Sequence, residues 1–183
     1  MSLMDEHRRT LHQIAQASIE HGLAKGEPLP INLSEYAVEL QENRASFVTL
    51  HTHNQLRGCI GTIKAYQPLV TDVAYHAHAA AFSDSRFAPL RRDELAHLTI
   101  HLSVLSVPEP LTFSSEEDLI QQLRPNIDGL ILEEGWRHGT FLPSVWESLP
   151  EPQDFLRQLK RKAGFSVNYW SKQIKVFRYI TED

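Results

Sequence analysis

Cysteine is nearly missing from this chain: Cys59 is the only one in 183 residues. An intrachain disulfide is therefore excluded, and an oxidising compartment gains no support. Long hydrophobic runs are missing too. Residues 1–9 carry charges of both signs and hold no apolar stretch long enough for a signal peptide or a membrane helix. The expected location is the cytoplasm, with no membrane association. Excess positive charge is the third absence: the net charge is −5 with ten histidines counted neutral. Lys and Arg are scattered apart from Arg157, Lys160, Arg161 and Lys162, which argues against a nucleic-acid binder of the usual basic type. Repeats and low-complexity tracts are also absent. What is there suffices for a core. A chain of this length with 42% hydrophobic residues removes roughly two thirds of its unfolded surface from water, without a disulfide or metal staple. It reads as a single domain over residues 1–183.

The elements follow from periodicity and punctuation. Leu11, Ile14, Ala15 and Ser18 fall at helical spacing between Met4 and Leu23, and Gly22 and Gly26 supply stop signals. A short helix from Ser34 to Leu40 is expected next. Ala45–His53 is rich in β-formers, Asn54-Gln55 is a plausible turn, and Leu56–Ile63 continues as a second strand, giving a hairpin. Pro68 suits the start of a helix running to Phe82, and Ser83–Leu90 is a loop. Thr99–Val107 alternates as a strand. Ser114-Ser115-Glu116-Glu117 fits a capping box ahead of a helix to Leu123. Strands are expected at Ile127–Leu132, Arg137–Leu142 and Ile174–Ile180, with a helix between Pro152 and Gly164. Strands and helices mix without a regular βαβ rhythm, so the fold class is α+β rather than a doubly wound sheet.

Leu56-Arg57-Gly58-Cys59-Ile60-Gly61-Thr62 is the most unusual stretch. Glycines inside a strand mark a bulge or the close approach of a backbone or ligand, so Gly58 and Gly61 are candidate substrate-binding positions. Regular alternation would put Arg57 and Cys59 on one face, their Cα atoms about 6.5 Å apart. A guanidinium there favours the thiolate, the reactive form of cysteine, which makes Cys59 and Arg57 candidate catalytic residues. The competing structural reading is that Cys59 is a small buried hydrophobe. A nucleophile wants a base, and His51 and His53 lie across the hairpin. A two-residue loop at Asn54-Gln55 sets Leu50 opposite Cys59 and turns both histidines away. A three-residue loop including His53 puts His51 on the Cys59 side. Each histidine reads more readily as a solvated hairpin residue.

Asp84-Ser85-Arg86-Phe87 sets an acid and a base beside an aromatic. Asp84 and Arg86 are candidate substrate-binding residues, Arg86 for an anion; the alternative is an Asx-turn with a surface ion pair. Ten histidines invite a metal test. The i, i+2 spacing of His51/His53 suits chelation from a strand, whereas His76/His78 share no helix face. Neither pair is completed by a cysteine or carboxylate run, so no metal is expected.

The string Leu-Arg-Gly-Cys-Ile-Gly-Thr at 56–62 resembles the signature of the AMMECR family. Further blocks in the expected order are Ser-Arg-Phe-Ala-Pro-Leu at 85–90, Ser-Val-Leu-Ser at 103–106, Asp-Gly-Leu-Ile-Leu at 128–132, Gly-Thr-Phe-Leu-Pro-Ser-Val-Trp at 139–146 and Lys-Ala-Gly-Phe at 162–165. Ile63 and Ser144 depart from the aromatic and Gln that relatives commonly carry there. The resemblance implies a stand-alone domain with a larger β-sheet subdomain flanked by helices and a smaller one. It also implies membership of the AmmeMemoRadiSam system, with Memo-like and radical-SAM proteins as partners. No cofactor is expected.

Two functions compete at this point. One is an enzyme or group carrier whose pocket is built on Cys59 and Arg57, with Asp84 and Arg86 arriving from the loop after the helix. The other is a non-catalytic protein-binding module in which the glycines permit close packing. An RNA-modification accessory using Arg157, Lys160 and Arg161 is more remote. The oligomeric state leaves no mark in the sequence.

Overall fold

The computed structural model describes residues 3–182, which form an α+β fold. Two compact units emerge. One extends to Leu105 and takes in Glu182, and the other spans Ser106–Thr181.

The first unit opens with α1 (Asp5–Lys25). Asp5 and Glu6 in its first turn and Lys25 in its last complement the helix dipole. Gly26, at φ 78°, closes it by donating its N–H to the Gly22 carbonyl. The helix expected at Ser34–Leu40 is instead a 3-10 turn at Leu33–Glu35 and α2 (Val38–Gln41), because Tyr36 and Ala37 between them are extended. The hairpin of β1 (Ser46–Thr52) and β2 (Gln55–Gly61) follows. After it come α3 (Leu69–Phe82), a 3-10 turn at Arg92–His97 and β3 (Leu98–Leu105). In the second unit are β4 (Glu109–Pro110), α4 (Glu116–Gln122), β5 (Gly129–Glu134), β6 (Arg137–Phe141), α5 (Pro152–Lys162) and β7 (Lys175–Tyr179). The last strand is β8 (Thr181–Glu182). The sheets run β2-β1-β3-β8 and β4-β7-β5-β6, and β1–β2, β1–β3, β4–β7, β5–β6 and β5–β7 pair antiparallel. Among the described residues no helix is long and apolar enough to cross a membrane.

The first sheet shows why alternation matters. Ser46, Val48 and Leu50 of β1 are buried, with Leu102 and Val104 of β3, against Leu69, Val70, Val73, Ala77 and Ala80 of α3. Phe47, Thr49 and His51 point to the other face and are only half-buried. Under the sheet, Asp72 of α3 is fully buried. It accepts hydrogen bonds from the Ser46 amide (2.9 Å) and hydroxyl (2.6 Å) and from Gln67 (3.1 Å), and His76 Nδ1 lies 3.1 Å away.

Neither expected hairpin loop forms. The turn residues are His53 and Asn54, at φ 51° and 61°, with Thr52 paired to Gln55. Two consecutive left-handed residues make a two-residue turn whose twist matches the strands. His51 then faces Leu56 while Leu50 faces Gly58, so Arg57 is an extra residue in β2. This bulge breaks the strict two-residue alternation of β2 at Arg57.

Candidate functional site

Cys59 sits opposite Thr49, with Sγ 3.1 Å from the Thr49 hydroxyl. Thr49 belongs to the face opposite the core, and Cys59 is half-buried there. His51 shares that face by alternation, the side that the longer-loop reading assigned to it. Its ring meets His101 of β3 edge-on, centroids 5.1 Å apart. His53 and His97 form a second ring pair at 4.8 Å.

Because β2 ends the sheet order, one side of its backbone has no strand partner among the described residues. At Cys59 a turn supplies the missing partners. The Cys59 amide donates to Asp84 Oδ2 at 2.9 Å, and Arg86 Nη2 donates to the Cys59 carbonyl at 3.5 Å. Asp84 is buried, and it also accepts from the Arg86 amide (3.1 Å), Nε (3.0 Å) and Nη2 (2.7 Å). The Arg86 fork, followed by the Cys59 and Arg86 amides, holds the Asp84 carboxyl well below the usual carboxylate range against the opposing effect of burial. Asp84 in turn keeps Arg86 above its ordinary value. The Arg86 side chain is 55% exposed. The Asx-turn and the cluster at Cys59 are thus one structure.

Arg57 follows another course. Its Nε and Nη2 donate to the two carboxylate oxygens of Glu94 at 2.7 and 3.1 Å, a bidentate pair. Glu94 also accepts from the Arg91 amide at 2.8 Å. This pairing raises the Arg57 pKa and lowers that of Glu94. The Phe87 ring lies near both guanidinium groups, 5.9 Å from Arg57 Cζ and 5.5 Å from Arg86 Cζ. The guanidinium that reaches the Cys59 backbone is that of Arg86.

The two glycines have packing partners. A Cβ on Gly58 would stand 2.1 Å from the Ala80 carbonyl oxygen of α3, and one on Gly61 would stand 2.3 Å from the Phe47 ring. Gly58 lets the helix backbone approach the strand. Thr49, Phe87 and Glu94 escape a reading of the sequence as site residues. Phe87 had a signal in its own motif, and Thr49 becomes visible once the register is known. No group of three or more His, Cys, Asp or Glu suited to a metal is present among the described residues. The basic helix face also needs correction: Lys160 is buried and paired with Glu116 at 2.5 Å, so only Arg157 and Arg161 of that trio are exposed.

The AMMECR1 family model matches residues 12–183. The chain belongs to the AMMECR1 family. It is 35% identical over 179 residues to a protein of Methanothermobacter thermautotrophicus, covering 93% of this chain and 90% of that protein. It is 40% identical over 147 residues to one of Thermotoga maritima, covering 79% of each. The crystal structure of uncharacterized protein PH0010 from Pyrococcus horikoshii has a TM-score of 0.90 and 31% identity, over 100% of this chain and 92% of that one. The AMMECR1 likeness therefore spans both units, and the names of these relatives assign no reaction.

Proposed function

We propose that this AMMECR1 chain is a component of a modification pathway, beside Memo-like and radical-SAM partners, and that it engages its substrate at Cys59. The observation that carries this reading is the clamp on that residue. Asp84 and Arg86 hold the amide and carbonyl of Cys59 while the sulfur stays half-buried on the outward face. A fixed backbone aims a thiol, and aim is what nucleophilic or carrier chemistry requires. Arg86 reaches this cluster with most of its side chain in solvent, and it takes an anionic portion of the substrate. Arg57, held by Glu94 against Phe87, positions the turn that carries Arg86.

A non-catalytic protein-binding module is the second reading, favoured by the seating of Gly58 against Ala80. The two separate in a deletion strain complemented with wild-type protein or with Cys59→Ser, profiled for metabolites and RNA. The proposal expects the Cys59→Ser profile to match the deletion. A wild-type profile from Cys59→Ser would favour the binding module.

A further inference from the structure

The second unit carries an open surface hollow of about 530 Å³ that the site at Cys59 does not use. Two stretches singled out by the sequence converge on it. Phe141, Val145 and Ser148 come from or just after the string at 139–146, and Lys162 opens the string at 162–165. Leu149 and Arg161 complete the lining used here. No carboxylate lines the hollow.

Cations in the last turn of a helix are unremarkable by themselves, since they face the negative end of its dipole. Lys162 does more than that. Its Nζ lies 5.1 Å from the centre of the Phe141 ring. Burial pushes its ammonium below lysine's ordinary range. A lysine at a helix end has a flexible stem and is free to hydrate its charge. Here the residue as a whole is exposed, yet its amine stands over an aromatic face at the rim of the hollow. Phe141 is itself braced, edge against Phe155 at 5.2 Å. A volume of this size lies within the range of small-molecule sites, roughly 300–1,000 Å³, which are mostly apolar with a few polar groups that fix orientation.

We infer that this hollow binds a small organic anion, with a carboxylate or phosphate held between Lys162 and Arg161 and an apolar body of about ring size against Phe141, Val145 and Leu149. The anion supplies the counter-charge that the lining lacks, and the body displaces water from the apolar wall. This site lies wholly within Ser106–Thr181, and it does not depend on the role of Cys59.

The test is titration of the full chain with phenyl phosphate and with benzoate, read by amide chemical shifts, with inorganic phosphate and phenol as fragment controls. One or both of the complete probes should shift Val145, Leu149, Arg161 and Lys162 and bind at least about tenfold more tightly than either fragment. The tighter of the two identifies the head group. Lys162→Met should weaken binding about tenfold or more, whereas Lys162→Arg should retain it. If Lys162→Met fails to fold, Arg161→Met is expected to show the same direction of loss. Shifts confined to other residues, no binding by either probe, or undiminished affinity in a folded Lys162→Met protein would overturn the assignment.

Discussion

Asp84 accepts from one backbone amide across the sheet edge, from a second amide two residues on, and from a guanidinium fork. Each of these donors favours its ionised form. A carboxylate whose folded pKa is depressed stabilises the fold above its unfolded value and loses that contribution as pH falls towards the folded one. Asp84→Asn should therefore cost about 1.5–3 kcal/mol near neutrality, the range for hydrogen bonds to a charged group. Urea titrations should show the gap to wild type narrowing below about pH 4. Tyr179 behaves in the opposite sense. Burial pushes its hydroxyl up to about 12, and that hydroxyl donates to the Phe141 carbonyl at 3.0 Å. A group kept neutral in this way contributes fully below the unfolded tyrosine value and loses that contribution as pH rises through its own. An ultraviolet titration should show one of the five tyrosines ionising last, and the late step should vanish in Tyr179→Phe.

The hairpin concentrates the strain of its unit in two residues. His53 and Asn54 both hold positive φ, a conformation that glycine adopts without steric cost. Asn54→Gly should stabilise the protein by a few tenths to about 1 kcal/mol in denaturant melts. Gly58→Ala should do the reverse, since the added methyl meets backbone rather than a movable side chain; a loss of about 3 kcal/mol is expected. The hairpin also shows what a sequence reveals. Two β-rich stretches around polar residues announced the strands, and buried positions three and four apart announced α1, α3 and α5. The bulge at Arg57 was marked only by the neighbouring Gly58, which signals a bulge or a close approach without fixing which residue is extra. The bidentate partner of Arg57 was equally silent, since Glu94 lies 37 positions away. The split between Leu33–Glu35 and α2, and the two-residue strands β4 and β8, are too short for any period to register. Cys59, Asp84 and Arg86 were legible as residues. Their meeting follows from the loop after α3 returning to the strand, as expected; which atoms meet was not legible, because it depends on which backbone edge the turn caps.

Each unit of the molecule has its own buried core. In one, Val48, Leu50 and Leu102 meet α1 and α3; in the other, Trp146, Phe155, Leu156 and Leu159 meet β5 and β7. Trp146 stacks on Phe155 with centroids 3.8 Å apart and donates its indole N–H to the Asp128 carbonyl at 2.7 Å. Phe155→Ala should cost about 3–5 kcal/mol in the second unit, read as an earlier denaturant transition in Trp146 fluorescence. Under the proposed function, the first unit of this chain aims a thiol. The most direct check is iodoacetamide labelling of native protein, with Cys59 modification followed by mass spectrometry beside an unfolded control. A half-buried, positioned sulfur should be alkylated in the native state, and Arg86→Ala should change that rate while the protein stays folded. Labelling that waits for unfolding, or a rate indifferent to Arg86→Ala, would contradict the account.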